Sequence, residues 1–136
     1  MKRTFILLAI VTMLVSCSKT EDQSTMWKII NLEVKHSDWI LNKDGDGLNK
    51  YYSCTLDMPE ITSFVYNQGT VLGYNVIGDA QQVLPYVRHY QNTSGNFWTR
   101  TVDFDYSIGK MTVYVTNSDF FEEVPPTMDF RVVLMW

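Results

Sequence analysis

Apolar and polar residues alternate with a period of two along most of this chain. Ile30, Leu32 and Val34 are separated by Asn31 and Glu33, and Tyr52, Cys54, Leu56 and Met58 by Ser53, Thr55 and Asp57. Such a period places the apolar set on one face of a pleated strand and the polar set on the other. Pro59 ends the second run. The same rhythm recurs at Met111, Val113 and Val115, and in the closing stretch Met128–Trp136, where Phe130, Val132 and Leu134 are expected to face inward. Phe97–Ile108 is longer and puts Trp98, Arg100, Val102, Phe104, Tyr106 and Ile108 on one face. Trp39-Ile40-Leu41 ends a short run. Thr70–Ile77 is apolar on both phases and suits a central strand. Gln82–Tyr90 reads as one strand with Pro85 inside it, which calls for an edge or a bulge. Glu60–Gln68 departs from the rhythm: Ile61, Phe64 and Val65 follow helical spacing and Gly69 is a stop signal, so a short helix is predicted.

Turn signals separate these runs about every ten residues, with Gly78-Asp79, the loop QNTSGN and Gly109-Lys110 among them. Short strands at that spacing predict an all-β fold. We expect an antiparallel, immunoglobulin-like β-sandwich of seven to eight strands with one short helix. Because the Cys-Trp-Cys spacing is missing, it is not a true immunoglobulin domain. A barrel is the alternative.

The first residues follow a different logic. Lys2 and Arg3 precede the eleven-residue apolar run Phe5–Val15, which is too short to span a bilayer and fits a signal-peptide core. Leu14-Val15-Ser16-Cys17 follows. This resembles the lipobox of bacterial lipoproteins, with Leu three residues before the cleavage site, a small residue directly before it and Cys after it. The resemblance implies that residues 1–16 are a lipoprotein signal peptide and that Cys17 is the lipidation site. It also implies a membrane partner through the N-terminal lipid, two or three acyl chains being needed for stable anchoring. Ser18, where Asp would favour inner-membrane retention, implies the bacterial outer membrane, facing the periplasm or the cell surface. Residues 17–26 are read as the lipidated Cys and a polar, flexible tether, and residues 27–136 as a single β-sandwich domain.

Charge narrows the partners. Eleven Lys and Arg stand against fifteen Asp and Glu, a net charge of −4, which becomes −6 when Lys2 and Arg3 leave with the leader. No basic cluster remains, so nucleic acid is excluded as a partner. With Cys17 lipidated, Cys54 has no cysteine to pair with, and its apolar phase predicts a small core residue.

A wider likeness spans most of residues 27–136. Tyr51-Tyr52, Met58-Pro59-Glu60-Ile61-Thr62, Gly69–Tyr74, Leu84-Pro85-Tyr86 and Phe130–Leu134 resemble, in type and order, a group of small secreted Bacteroidetes lipoproteins of unknown function. The resemblance implies a compact β-sandwich at the envelope and brings no activity with it.

Candidate chemistry is sparse. Asn42, Asp44 and Asp46, followed by Gly47, begin like a calcium loop of the EF-hand type. Ser53 stands where the bidentate Glu belongs, and β-like runs flank both ends. Asp-Gly between such runs signals a hairpin, so no metal is expected there. His36 and His89 lack zinc spacing, and no nucleophile elbow, phosphate loop or dinucleotide fingerprint appears. Asp103 and Asp105, and Glu122 with Glu123, read as solvated charges rather than a glycosidase pair. Neither a cofactor nor an enzymatic activity is expected. Aromatic residues are more telling: Tyr86 and Tyr90 share a strand face with Arg88, Trp98 follows the QNTSGN loop, and Phe120-Phe121 lies in an acidic stretch. Exposed rings beside polar groups build binding surfaces. These six residues are the expected partner-binding surface, for a glycan or an envelope protein. An architectural subunit of an envelope assembly, or a small polysaccharide hydrolase, is the alternative.

Overall fold

The computed structural model describes residues 25–136, and Cys17, the leader and most of the tether lie outside the described residues. Nine strands form two antiparallel sheets. In chain order they are β1 (Trp27–Val34), β2 (Ile40–Lys43), β3 (Lys50–Asp57), β4 (Thr70–Ile77), β5 (Ala80–Val83), β6 (Tyr86–Gln91), β7 (Phe97–Ser107), β8 (Lys110–Asn117) and β9 (Met128–Met135). One sheet runs β1-β9-β4-β5 and the other β2-β3-β8-β7-β6. The all-β sandwich expected from the alternation is the observed fold. Met26 extends the first sheet's edge, exchanging two backbone hydrogen bonds with Trp136.

The period-two residues meet between the sheets. Val34 from β1, Val102 from β7, Met111, Val113 and Val115 from β8, and Phe130, Val132 and Leu134 from β9 are essentially inaccessible to water. Burying a side chain of this kind contributes about 1.5–3 kcal/mol relative to leaving it exposed. Cys54 lies in the same core, and burial pushes its thiol pKa up. Gly73, on the inner face of β4, lets the sheets approach: a Cβ there would stand 2.9 Å from the Phe104 ring and 3.2 Å from Leu84.

Three elements differ from the expectation. Gln82–Tyr90 is two strands in two sheets. β5 pairs with β4, the chain crosses at Leu84-Pro85, a cis peptide, and β6 pairs with β7. Pro85 has no N–H to carry a ladder onward, and the split raises the strand count to nine. The helix, α1, spans only Ser63–Gln68, because the Thr62 hydroxyl accepts from the Val65 N–H and caps it there. Val65 alone of its residues reaches the core, whereas Phe64 is 57% exposed. Ile108 shares the alternation phase of Val102 and Phe104, but the strand ends at Ser107 and Ile108 sits 55% exposed in the turn to β8.

The connection between β8 and β9 is irregular yet anchored. The ring Nδ1 of His36, in a 3-10 turn at His36–Asp38, donates to the Pro125 carbonyl at 2.8 Å. Trp39 Nε1 donates to the Pro126 carbonyl at 3.1 Å, and the Thr127 hydroxyl accepts from the His36 N–H at 3.1 Å. These bonds hold in place the segment that walls the site below.

Candidate functional site

The site is built on one face of the β6–β7 pair. Tyr86 opposes Val102, Arg88 opposes Arg100, and Tyr90 opposes Trp98. Directly opposed residues of an antiparallel pair point to the same side, and Val102 fixes that side as inward because it is fully buried. Toward the Trp98 end this face runs out from under the covering sheet. The inner positions change there from core residues to the half-buried Tyr90, Trp98 and Arg100 and the exposed Arg88.

There the planar groups pack in series. The Tyr90 and Trp98 rings stack with centroids 5.6 Å apart and planes 17° from parallel. The Arg100 guanidinium lies 5.3 Å from the Tyr90 centroid, and that of Arg88 lies 5.4 Å from the Tyr86 centroid. Cation–π contacts of this kind contribute about 0.5–1 kcal/mol at exposed sites. Arg100 Nε donates to Asn117 Oδ1 at 2.9 Å, and its Nη2 lies 3.5 Å from Glu123 Oε2. Burial raises the pKa of the Tyr86 hydroxyl, which therefore stays neutral at physiological pH. It accepts a hydrogen bond from Asn75 Nδ2 at 2.8 Å, leaving its own O–H free to donate.

Two hollows adjoin this series. The first, about 340 Å³, is lined by Asn92, Asn96, Trp98, Asn117, Phe121 and the carboxylates of Asp119 and Glu123. The second, about 240 Å³, has Tyr86, Arg88, Tyr90 and Arg100 on one wall and Asn75, Thr127 and Asp129 among its other lining residues. Arg100 joins them, since its side chain lines the second and bonds Asn117 and Glu123 in the first.

Five of the six residues expected at the surface therefore come together: Tyr86, Arg88, Tyr90, Trp98 and Phe121. Phe120 lies apart from both hollows, at the left-handed turn (φ 52°) after β8, directly before Phe121. The sequence reading missed Arg100 and the ring of asparagines. A guanidinium at an apolar phase, between Trp98 and Val102, was the available signal, because arginine is seldom buried without a partner.

Asn42, Asp44 and Asp46 form no such convergence. Asn42 Nδ2 donates to the Ile40 carbonyl at 2.9 Å and to the Ser53 hydroxyl at 2.8 Å. Asp44 Oδ1 accepts from the N–H groups of Leu48 and Asn49, and Oδ2 from the Asn49 amide. Desolvation raises the Asp44 pKa, but the bonds from Asn49 and Leu48 outweigh it and hold the carboxyl below its ordinary value. Gly47, at φ 71°, turns the chain, and Lys43 pairs with Lys50. The stretch is a hairpin loop between β2 and β3, with Asp44 as its brace.

Neither protein-family models, nor curated proteins, nor solved structures contain a match to this chain.

Proposed function

We propose that this protein is a non-enzymatic, lipid-anchored binding module of the bacterial envelope, and that its β6–β7 cleft takes a glycan. The stacked Tyr90–Trp98 pair, set beside Asn92, Asn96 and Asn117, carries this reading. A sugar ring presents C–H groups on its faces and hydroxyls around its edge. Aromatic faces match the former, and side-chain amides, each both donor and acceptor, match the latter. Shallow hollows of this kind leave a chain of sugars free to run past the site. The two carboxylates of the first hollow are already engaged: Glu123 with Arg100, and Asp119 Oδ1 with the Phe121 N–H at 3.2 Å. That supports binding over hydrolysis.

A glycan array probed with the leaderless chain tests the reading. Binding to a defined set of oligosaccharides is expected, and Trp98→Ala should abolish it while leaving the melting transition in place. An array with no signal, or one that Trp98→Ala leaves unchanged, would sink it.

A further inference from the structure

Arg88 and Arg100 pose a problem that packing does not solve. They are directly opposed across β6 and β7 on the inward face, and like charges at such positions repel. The chain has four arginines and a net charge of −4, yet two of the four face each other here. Only one is compensated. Arg100 has Asn117 and Glu123, although 3.5 Å to Glu123 exceeds the usual charge-assisted hydrogen bond of about 2.8 Å. Arg88 forms no salt bridge among the described residues, and its guanidinium rests over Tyr86 beside the open hollow. A guanidinium offers five donors in a fixed fork that matches carboxylate and sulfate oxygens.

The position of the pair relative to the aromatic stack adds the second half of the inference. Arg88 and Arg100 are the next same-face pair along the strands from Tyr90 and Trp98. That step is roughly 6.7 Å, comparable with the distance from one sugar ring to a substituent on its neighbour.

We propose that the cleft selects acidic glycans, with one sugar ring at Trp98 and a carboxylate or sulfate of the adjoining sugar held by Arg88 and Arg100. The inference rests on the glycan reading above and narrows it. An anion at this point removes the arginine–arginine repulsion, so charged sugars gain affinity that neutral ones cannot.

Calorimetric titration of the detergent-solubilised full chain tests this, using three oligosaccharides of matched length: an oligogalacturonide, a sulfated carrageenan fragment and a neutral galactan. At low salt, one or both charged probes should bind about tenfold or more tighter than the neutral one, and high salt should shrink that gap. Carboxylate and sulfate are distinguished by which charged arm responds. Arg88→Gln should remove the preference, so that the charged probes bind no tighter than galactan. If galactan binds as tightly as the charged probes with Trp98 still required, or if Arg88→Gln keeps the preference, the acidic-glycan inference fails alone. If none of the three binds, or Trp98→Ala changes nothing, the glycan reading fails and takes this inference with it.

Discussion

Asn75 on β4 and Tyr86 on β6 link the two sheets at the cleft, the Asn75 amide donating to the Tyr86 hydroxyl across 2.8 Å. The two ends of this bond are unequal, because Asn75 is only 3% exposed whereas Tyr86 is half-buried. Tyr86→Phe removes the acceptor and leaves a buried N–H without a partner, which should cost about 1–3 kcal/mol. Adding Asn75→Leu, which removes the orphaned donor at similar volume, should recover much of that loss. Urea denaturation of wild type, both single variants and the double variant reads this coupling. Strictly additive losses would mean that the bond does not join the sheets in solution.

Gly73 and Phe104 make the tightest prediction about packing. An alanine Cβ at position 73 would stand 2.9 Å from one ring carbon and 3.1 Å from another. The Phe104 ring, which also stacks against Tyr106, would have to shift to make room. Gly73→Ala should therefore lose about 1–3 kcal/mol through overpacking. Phe104→Leu, placed in the Gly73→Ala background, should return part of the loss, and denaturation midpoints of the single and double variants decide it.

Asp103 sits on the outer face of β7, two residues from Asp105, whose carboxylate accepts from the Tyr114 hydroxyl at 2.8 Å. Burial, and then the Asp105 charge, raise the Asp103 pKa above its ordinary 3.8. A carboxyl raised on folding favours the native state most in acid. That contribution is lost as pH rises from 3.8 through the raised folded value. Asp103→Asn should therefore exceed wild type in stability at neutral pH by about 0.5 kcal/mol. The advantage should vanish once the pH falls below the ordinary carboxyl value, as thermal melts across pH would show.

The Asp44 brace has the opposite sign. Its pKa is lowered on folding, so its contribution is present above the ordinary value of 3.8 and lost as pH falls through the lower folded value. Amide exchange at Leu48 and Asn49 should accelerate in that acid range, and Asp44→Ala should accelerate it at every pH. Asp46→Ala should leave both amides as they are. Equal exchange in wild type and Asp44→Ala would remove the brace from the account.

Much of the fold is legible in the alternation. Phe130, Val132 and Leu134 are the clearest case: their period-two spacing predicts burial, and all three are inaccessible. Failures came where a local signal competed with a distant one. Phe64 follows helical spacing, yet in this short helix Val65 takes the inward position and Phe64 is left exposed. Pro85 reads locally as an edge or bulge within one strand, whereas it marks the passage between two sheets. Of the candidate site, the shared face of Tyr86, Arg88 and Tyr90 could be read directly, since residues two apart on a strand point the same way. That Trp98 stacks on Tyr90 and that Arg100 opposes Arg88 could not, because both depend on the register of β6 against β7.

Sequence alone determined the period of each strand, and with it the side chains that share a face, because strand geometry is set by the backbone within a few residues. Tertiary structure decided which faces are covered. The face carrying Val102 continues to Trp98 with Arg100 between them, and the alternation by itself does not say where along it the core gives way to the cleft. Sheet pairing between segments far apart in the chain made that distinction, by ending the covering sheet where Tyr90, Trp98 and the two arginines begin.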